Sequence, residues 1–327
     1  MPVSSPPAIP RLPRLRRVAA PKPFQLTARD VAIVHAVARF RFLSSVQIAR
    51  CVGGSHQQIL RRLRLLFDHA YLDRPAAQLL QLTHVLDTGN QPLIYGLGRT
   101  GARLIADQGD TPGDKLDWTT KNTRATALFL AHTLETADAM IAFDTACQKN
   151  ANVALIDHHA LIPFMPEATR KARDPFRCRV SISLPHQREA LMISVIPDRL
   201  FSLRYANDTR LNFALELDRG TMDIASRTLV GKSSIRRKLI GYHQAWLQKR
   251  HTDRWGFQSF RVLLLTPSEK RLQNMLAEQQ AIVGGEGSNL FLFSTPQRIA
   301  SAGAIGPAWV SGKGQTVALS SGTTTAQ

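Results

Sequence analysis

No run of about twenty apolar residues occurs in this chain, so no segment has the length to span a bilayer. The basic N-terminus lacks the apolar stretch of a secretory signal. Cysteine is scarce and scattered, at Cys51, Cys147 and Cys178. That set builds neither a disulfide framework nor a zinc knuckle, and a reducing cytoplasm is the expected compartment. Phosphate loops, dinucleotide fingerprints, serine elbows and zincin helices are all missing. The Gly-rich stretch 284–287 opens no helix with a lysine and reads as a loop. Acidic residues are short too: 24 Asp and Glu face 42 Lys and Arg, for a formal net charge of +18. So positive a field suits a polyanion, and with no membrane segment in view the expected partner is nucleic acid.

What is present is an ordinary globular composition, 44% apolar and 20% charged, in a chain long enough at 327 residues for two cores. Residues 1–25 form a basic arm: seven prolines precede residue 24, and Arg11, Arg14, Arg16 and Arg17 cluster among them. Proline at that density opposes helix and sheet, so a flexible arm is expected. A first domain is expected over 26–106, a polar linker over 107–121, and an α/β domain over 122–305. A Gly/Ser/Thr-rich tail over 306–327 reads as disordered.

Three helix starts follow one another in the first domain. Thr27 precedes Asp30, Ser44 precedes Gln47 and Ser55 precedes Gln58, each with capping-box spacing. Helix one should bury Ile33, Val34 and Val37. A short second helix, Ser44 to about Cys51, should bury Val46 and Ile48. Gly53-Gly54 turns the chain, and a third helix to about His69 should bury Ile59, Leu63 and Leu66. A short helix, a tight turn and a basic helix make a helix-turn-helix, whose second member enters the major groove N-terminus first. His56, Gln57, Arg61, Arg62 and Arg64 are its candidate DNA contacts, with Gln suited to adenine and Arg to guanine or phosphate. Strands over 71–75 and 93–97, joined by a loop at 76–91, would add a wing. A helix over about 100–106 closes the domain.

The segments "LTARDVAIVHAVARFRFLSSVQIAR", "SHQQILRRLRLLFDHAYLDRP" and "PLIYGLGRTGARLIA", spanning Leu26–Ala106, resemble the replication-relaxation family of plasmid and mobile-element proteins. The resemblance implies a winged-helix protein that binds double-stranded DNA and serves plasmid replication and relaxation, with other replication or transfer proteins as possible partners.

Downstream, a long helix is expected at about 122–148, with strands at 179–184, 190–196, 212–216 and 260–265 and a basic helix at about 233–248. Asp157-His158-His159 reads as a loop, because neighbouring histidines on a strand point to opposite faces and do not share an ion. Segment 227–250 carries Arg227, Lys232, Arg236, Arg237, Lys238, Lys249 and Arg250 with no acidic residue, so Arg236 and Arg237 are further DNA candidates. Tyr242 and Trp246 read as core.

Pro197-Asp198 after one strand and Glu216-Leu217-Asp218 at the end of another resemble the PD-(D/E)xK nuclease fold, a restriction-endonuclease-like α/β architecture. The resemblance implies Asp198 and Glu216 as ligands of Mg²⁺, with Asp218 as a further ligand. The chain departs from that pattern, since Asp218 stands where a lysine is wanted. Lys238 on the following helix is the candidate to reach back in its place. The expected fold is therefore α/β overall, a winged helix followed by a nuclease-like domain. The expected function is a DNA-binding accessory protein. A metal-dependent nickase using Asp198, Glu216 and Lys238, and a winged-helix repressor, are the alternatives. Nothing in the sequence marks an oligomeric state.

Overall fold

The computed structural model describes residues 14–79, 92–109, 118–183, 189–225 and 234–321. The tip of the expected wing (80–91), most of the expected linker (110–117), and Arg11, Arg227 and Lys232 lie outside the described residues. The fold is mixed α/β. It divides into two compact units, Met1–Asp138 and Ala139–Gln327. No helix among the described residues is long and apolar enough to cross a membrane.

The first unit contains α1 (Ala28–Phe40), β1 (Phe42–Ser44), α2 (Ser45–Val52), α3 (His56–Asp68), β2 (Leu72–Asp73), β3 (Ile94–Leu97), α4 (Arg99–Asp107) and α5 (Trp118–Thr123). Two of the three predicted capping boxes close. Asp30 N donates to Thr27 Oγ1 at 3.3 Å while Thr27 N donates to Asp30 Oδ2 at 2.7 Å. Gln47 N donates to Ser44 Oγ at 3.2 Å and Ser44 N to Gln47 Oε1 at 3.0 Å. The third box does not form. Ser55 makes no side-chain cap, and Gln58 accepts from Arg29 NH1 instead.

Burial follows the predicted periodicity at Ile33, Val34, Val37, Ile48, Ile59, Leu63 and Leu66. Val46 corrects it: the side chain is 44% exposed. Two residues of helix rotate a side chain about 200°, so Val46 and Ile48 do not share a face. The core side of α2 is completed by Gln47, whose amide donates to Leu134 O at 2.8 Å.

The expected two-stranded ribbon is a three-stranded antiparallel sheet in the order β1-β3-β2, with Phe42 opposite Gly96 and Leu72 opposite Leu97. Between α2 and α3, Gly53 and Gly54 take φ of 68° and 94°, a backbone that glycine adopts without steric cost. The long helix α6 (Ala127–Gln148) starts five residues later than the pattern suggested. Asn122 belongs instead to α5, where its amide donates to Leu97 O at 2.9 Å.

The boundary between the units falls inside α6. The second unit adds β4 (Val153–Ile156), α7 (His158–Leu161), a 3₁₀ turn (Ile162–Phe164), α8 (Glu167–Arg170), β5 (Cys178–Ile182), β6 (Leu191–Val195), β7 (Arg199–Tyr205) and β8 (Arg210–Leu217). Next come α9 (Ile235–Leu247), α10 (Arg250–Trp255), β9 (Arg261–Leu265), α11 (Glu269–Ile282), β10 (Phe291–Ser294), α12 (Pro296–Ala302), β11 (Trp309–Ser311) and β12 (Thr316–Val317). Seven strands form one sheet, ordered β12-β11-β10-β9-β8-β7-β4. Strands β8, β9 and β10 run parallel, and the remaining pairs are antiparallel. Strands β9 and β10 are buried along their whole length, as strands covered on both faces must be. On one face Ala214, Val262, Leu264 and Phe291 pack with Leu239 and Tyr242 of α9 and with Leu272 and Met275 of α11. On the other, Phe143 of α6 meets Phe201 at 4.8 Å and Trp309 at 6.1 Å between ring centroids.

The predicted C-terminal tail is a correction. Residues beyond Gly306 supply β11 and β12, and Trp309 is fully buried with Nε1 donating to Ala304 O at 2.9 Å. Gly312 and Gly314 stand in the turn between these two short strands. The arm is a second correction: residues 14–25 make defined contacts. Arg17 bonds Phe67 O, Leu72 O and Asp73, and Val18 N donates to Asp68 Oδ1 at 3.1 Å. Asp157-His158-His159 forms the start of α7 rather than a loop, with Asp157 accepting from His158 N at 2.7 Å.

Candidate functional site

The start of α3 is held from beneath and open above. Ile59, Leu63 and Leu66 anchor one face, while His56, Gln57, Gln58 and Arg61 are exposed. The Arg61 side chain makes no hydrogen bond or ion pair among the described residues.

The structure separates its basic neighbours from it. Arg62 bonds both carboxylate oxygens of the fully buried Asp30 and the Gln25 carbonyl. Burial opposes ionisation of Asp30, but hydrogen bonds from Arg62 and Thr27 outweigh it and hold the carboxyl below its ordinary range. Arg64 pairs with Asp68 at 2.7 Å, four residues along the helix, and reaches the Arg16 carbonyl. Arg62 and Arg64, both expected as DNA contacts, are thus occupied in tying α3 to α1 and to the arm. The spacing of Thr27 and Asp30 signals capping alone and carries no sign of the Arg62 contact. The arm covers the C-terminal half of α3 and leaves Arg14 and Arg16 exposed beside it.

In the second unit, β7 and β8 bring together residues far apart in sequence. Arg199 pairs with Leu215, so one further step of the antiparallel register sets Asp198 opposite Glu216. The backbone agrees: Asp198 N donates to Leu215 O at 3.0 Å, and Leu217 N donates to Asp198 Oδ2 at 2.7 Å. From α9, Lys238 Nζ lies 2.5 Å from Glu216 Oε2 and Tyr242 donates to Glu216 Oε1 at 2.5 Å. Lys238 and Tyr242 are one helical turn apart and share a face. Burial, and then the Asp198 carboxylate, raise the pKa of Glu216 to about 7, against the pull of Lys238 and Tyr242. Burial works against the charge of Lys238, but Glu216 and Asp198 keep it ionised above its usual range. A carboxyl that titrates near neutrality beside a fixed ammonium is equipped to hold and exchange one proton.

Asp218 corrects the expected ligand set. Its two oxygens take a fork from Arg271, at 2.5 Å to Nε and 3.0 Å to NH2, together with Thr266 Oγ1 at 2.8 Å and Gly220 N at 3.1 Å. No group of three or more His, Cys, Asp or Glu able to hold a metal ion occurs among the described residues. Mg²⁺ asks for near-octahedral oxygen ligation. Here Asp218 is committed elsewhere, one Asp198 oxygen is taken by the backbone, and an ammonium stands at Glu216. The donor set does not fit the expected three-carboxylate Mg²⁺ site.

The remaining candidates scatter. Arg236 pairs with Glu278 of α11, and Arg237 is half-buried. His158 is partly buried against Arg199 NH1 at 2.7 Å, and its withdrawal from water lowers its pKa to about 4, so the ring is neutral. Tyr242 is core as expected, yet its hydroxyl completes the Glu216 cluster. The i, i+4 spacing of Lys238 and Tyr242 could have signalled this.

A family model described as replication-relaxation matches residues 34–259, more than half of the 327-residue chain. No curated protein and no solved structure matches the chain.

Proposed function

The chain belongs to the replication-relaxation family, and from that premise we propose that it is a DNA-binding accessory protein that docks the start of α3 in the major groove. Membership suggests a role in plasmid or mobile-element replication or DNA relaxation. The observation that carries the DNA reading is the solvent-facing row His56, Gln57 and Arg61 on a helix whose opposite face is fully buried. A short capped helix, a glycine turn and a three-stranded sheet beside α3 support a winged-helix reading of the first unit. Gln57 and Arg61 then read base edges, while Arg14, Arg16 and Arg29 lie in reach of phosphate.

The test is a gel-shift titration at fixed salt with fragments tiling the replicon that encodes the chain. Each base-reading side chain is worth about 1–3 kcal/mol, so Gln57→Ala/Arg61→Ala should weaken the preferred fragment at least about tenfold. Equal binding by wild type and variant overturns the proposal.

A second reading concerns the second unit. Asp198 opposite Glu216 on adjacent strands, followed by a helix and a parallel strand, supports a nuclease-like scaffold. With Lys238 neutralising the carboxylates and Asp218 turned away, we read that scaffold as one for binding rather than cleavage. Supercoiled plasmid incubated with Mg²⁺ or Mn²⁺ should stay uncut. Nicking by wild type that Asp198→Ala abolishes would establish a nickase instead.

A further inference from the structure

Away from the carboxylate cluster, the second unit holds a cleft of about 930 Å³ between the loop after α8, the start of β5, and α10. Its lining includes five arginines, Arg173, Arg177, Arg179, Arg250 and Arg254, against two aspartates, Asp174 and Asp253. These guanidiniums do not all have the same duty. Arg254 is structural: its Nε donates to Arg177 O at 2.9 Å and NH2 to Asp174 O at 2.6 Å, pinning the loop to α10. Thr169 Oγ1 closes the wall by donating to Arg254 O at 2.5 Å. Arg177 is held by Asp174 at 3.0 Å, and Arg250 lies 3.7 Å from Asp253. Arg173 and Arg179 are exposed, and their side chains make no hydrogen bond or ion pair among the described residues. The loop is therefore fixed by one arginine so that others present unspent charge to a preformed cavity. Such a cavity does not lose affinity to loop ordering when it binds.

We propose that this cleft is a second, sequence-independent nucleic-acid site that grips the phosphates of a strand. Guanidiniums match phosphate oxygens as a planar fork, and several of them on three separate elements suit repeated anions better than a single one. Among the described residues no aromatic side chain lines the cleft, so these offer no platform for bases and suit the backbone. The proposal shares with the α3 reading the premise that the partner is DNA, but it rests on different residues in a different unit.

The experiment uses the full-length chain and a labelled random-sequence oligonucleotide, with anisotropy measured from roughly 50 to 200 mM salt. Arg173→Ala/Arg179→Ala removes two exposed side chains and should leave the circular dichroism and melting curve unchanged. It should lower the slope of log affinity against log salt by about 1.5 to 2. Arg173→Lys/Arg179→Lys should keep the slope. In the Gln57→Ala/Arg61→Ala background, residual binding should still depend on Arg173 and Arg179. An unchanged slope and affinity in both backgrounds overturn the cleft. An α3 variant that keeps full preference for the target fragment sinks the α3 reading alone. If wild type binds no DNA, pyrophosphate decides: thermal stabilisation lost in the Arg173→Ala/Arg179→Ala variant keeps a phosphate site here, and no stabilisation of wild type removes it.

Discussion

Lys238 Nζ stands 2.5 Å from Glu216 Oε2 across 22 residues of sequence, with Glu216 buried and Lys238 partly buried. Each charge is tolerated there because the other is present. Removing one partner leaves a buried charge uncompensated, which costs about 3–5 kcal/mol, whereas removing both together costs far less. Lys238→Met alone should therefore lower the urea midpoint sharply, and Lys238→Met/Glu216→Gln should recover most of the loss. A double variant no better than the single one would show that the pair does not act as a unit.

Arg62 and Arg61 are neighbours with opposite duties. Arg62→Ala strips the counter-charge from the fully buried Asp30 and should destabilise the first unit by about 3 kcal/mol. Arg61→Ala removes an exposed side chain and should fall within about 0.5 kcal/mol of wild type. Chemical denaturation of both variants checks the contrast. Arg61→Ala should show its effect in DNA binding instead.

His158 gives a pH signature. Its pKa is lowered to about 4 in the folded chain, chiefly by burial, from an ordinary value of 6.5. Above pH 6.5 both folded and unfolded states hold it neutral, so it costs nothing there. As pH falls from 6.5 towards 4, the unfolded state takes a proton that the folded state refuses, and stability drops by up to about 3 kcal/mol. Glu216, whose pKa is raised, contributes the opposite slope, so the comparison must be differential. His158→Gln should lose less stability than wild type between pH 6.5 and pH 4.5, measured by denaturant midpoints at each pH. Parallel curves would refute the assignment.

The C-terminal strands predict the effect of truncation. Ending the chain at Ile305 removes Trp309 from the core and leaves Ile305 O without Leu319 N, which donates to it at 2.8 Å. Loss of a buried Trp alone costs about 3–5 kcal/mol. Thermal melting should fall by at least about 6–12 °C. A disordered tail could be cut with no change in Tm.

Much of the first unit was legible because its signals are local. Thr27 with Asp30, Ser44 with Gln47, Gly53-Gly54 and the apolar spacing of α3 each act within one or two turns of chain. Strand β1 escaped, since three residues give no period to detect. In the second unit β7 was hidden by arginines at Arg199 and Arg204, and β11 by the glycines and serines around it. Composition describes a residue's solubility and turn preference, but not whether a sheet edge stands ready to receive it.

By itself the sequence determined the cationic character of the chain, the capped helices, and the exposed Gln57 and Arg61 on α3, because periodicity and charge are properties of neighbours in the chain. It also singled out Asp198, Glu216 and Lys238 as residues of one chemistry. Only the tertiary structure decided which charges remained free. Arg62 goes to Asp30, Arg64 to Asp68, Arg236 to Glu278 and Asp218 to Arg271. Ion pairing depends on distance in space, falling off within a few ångströms, and sequence separation carries no record of that distance.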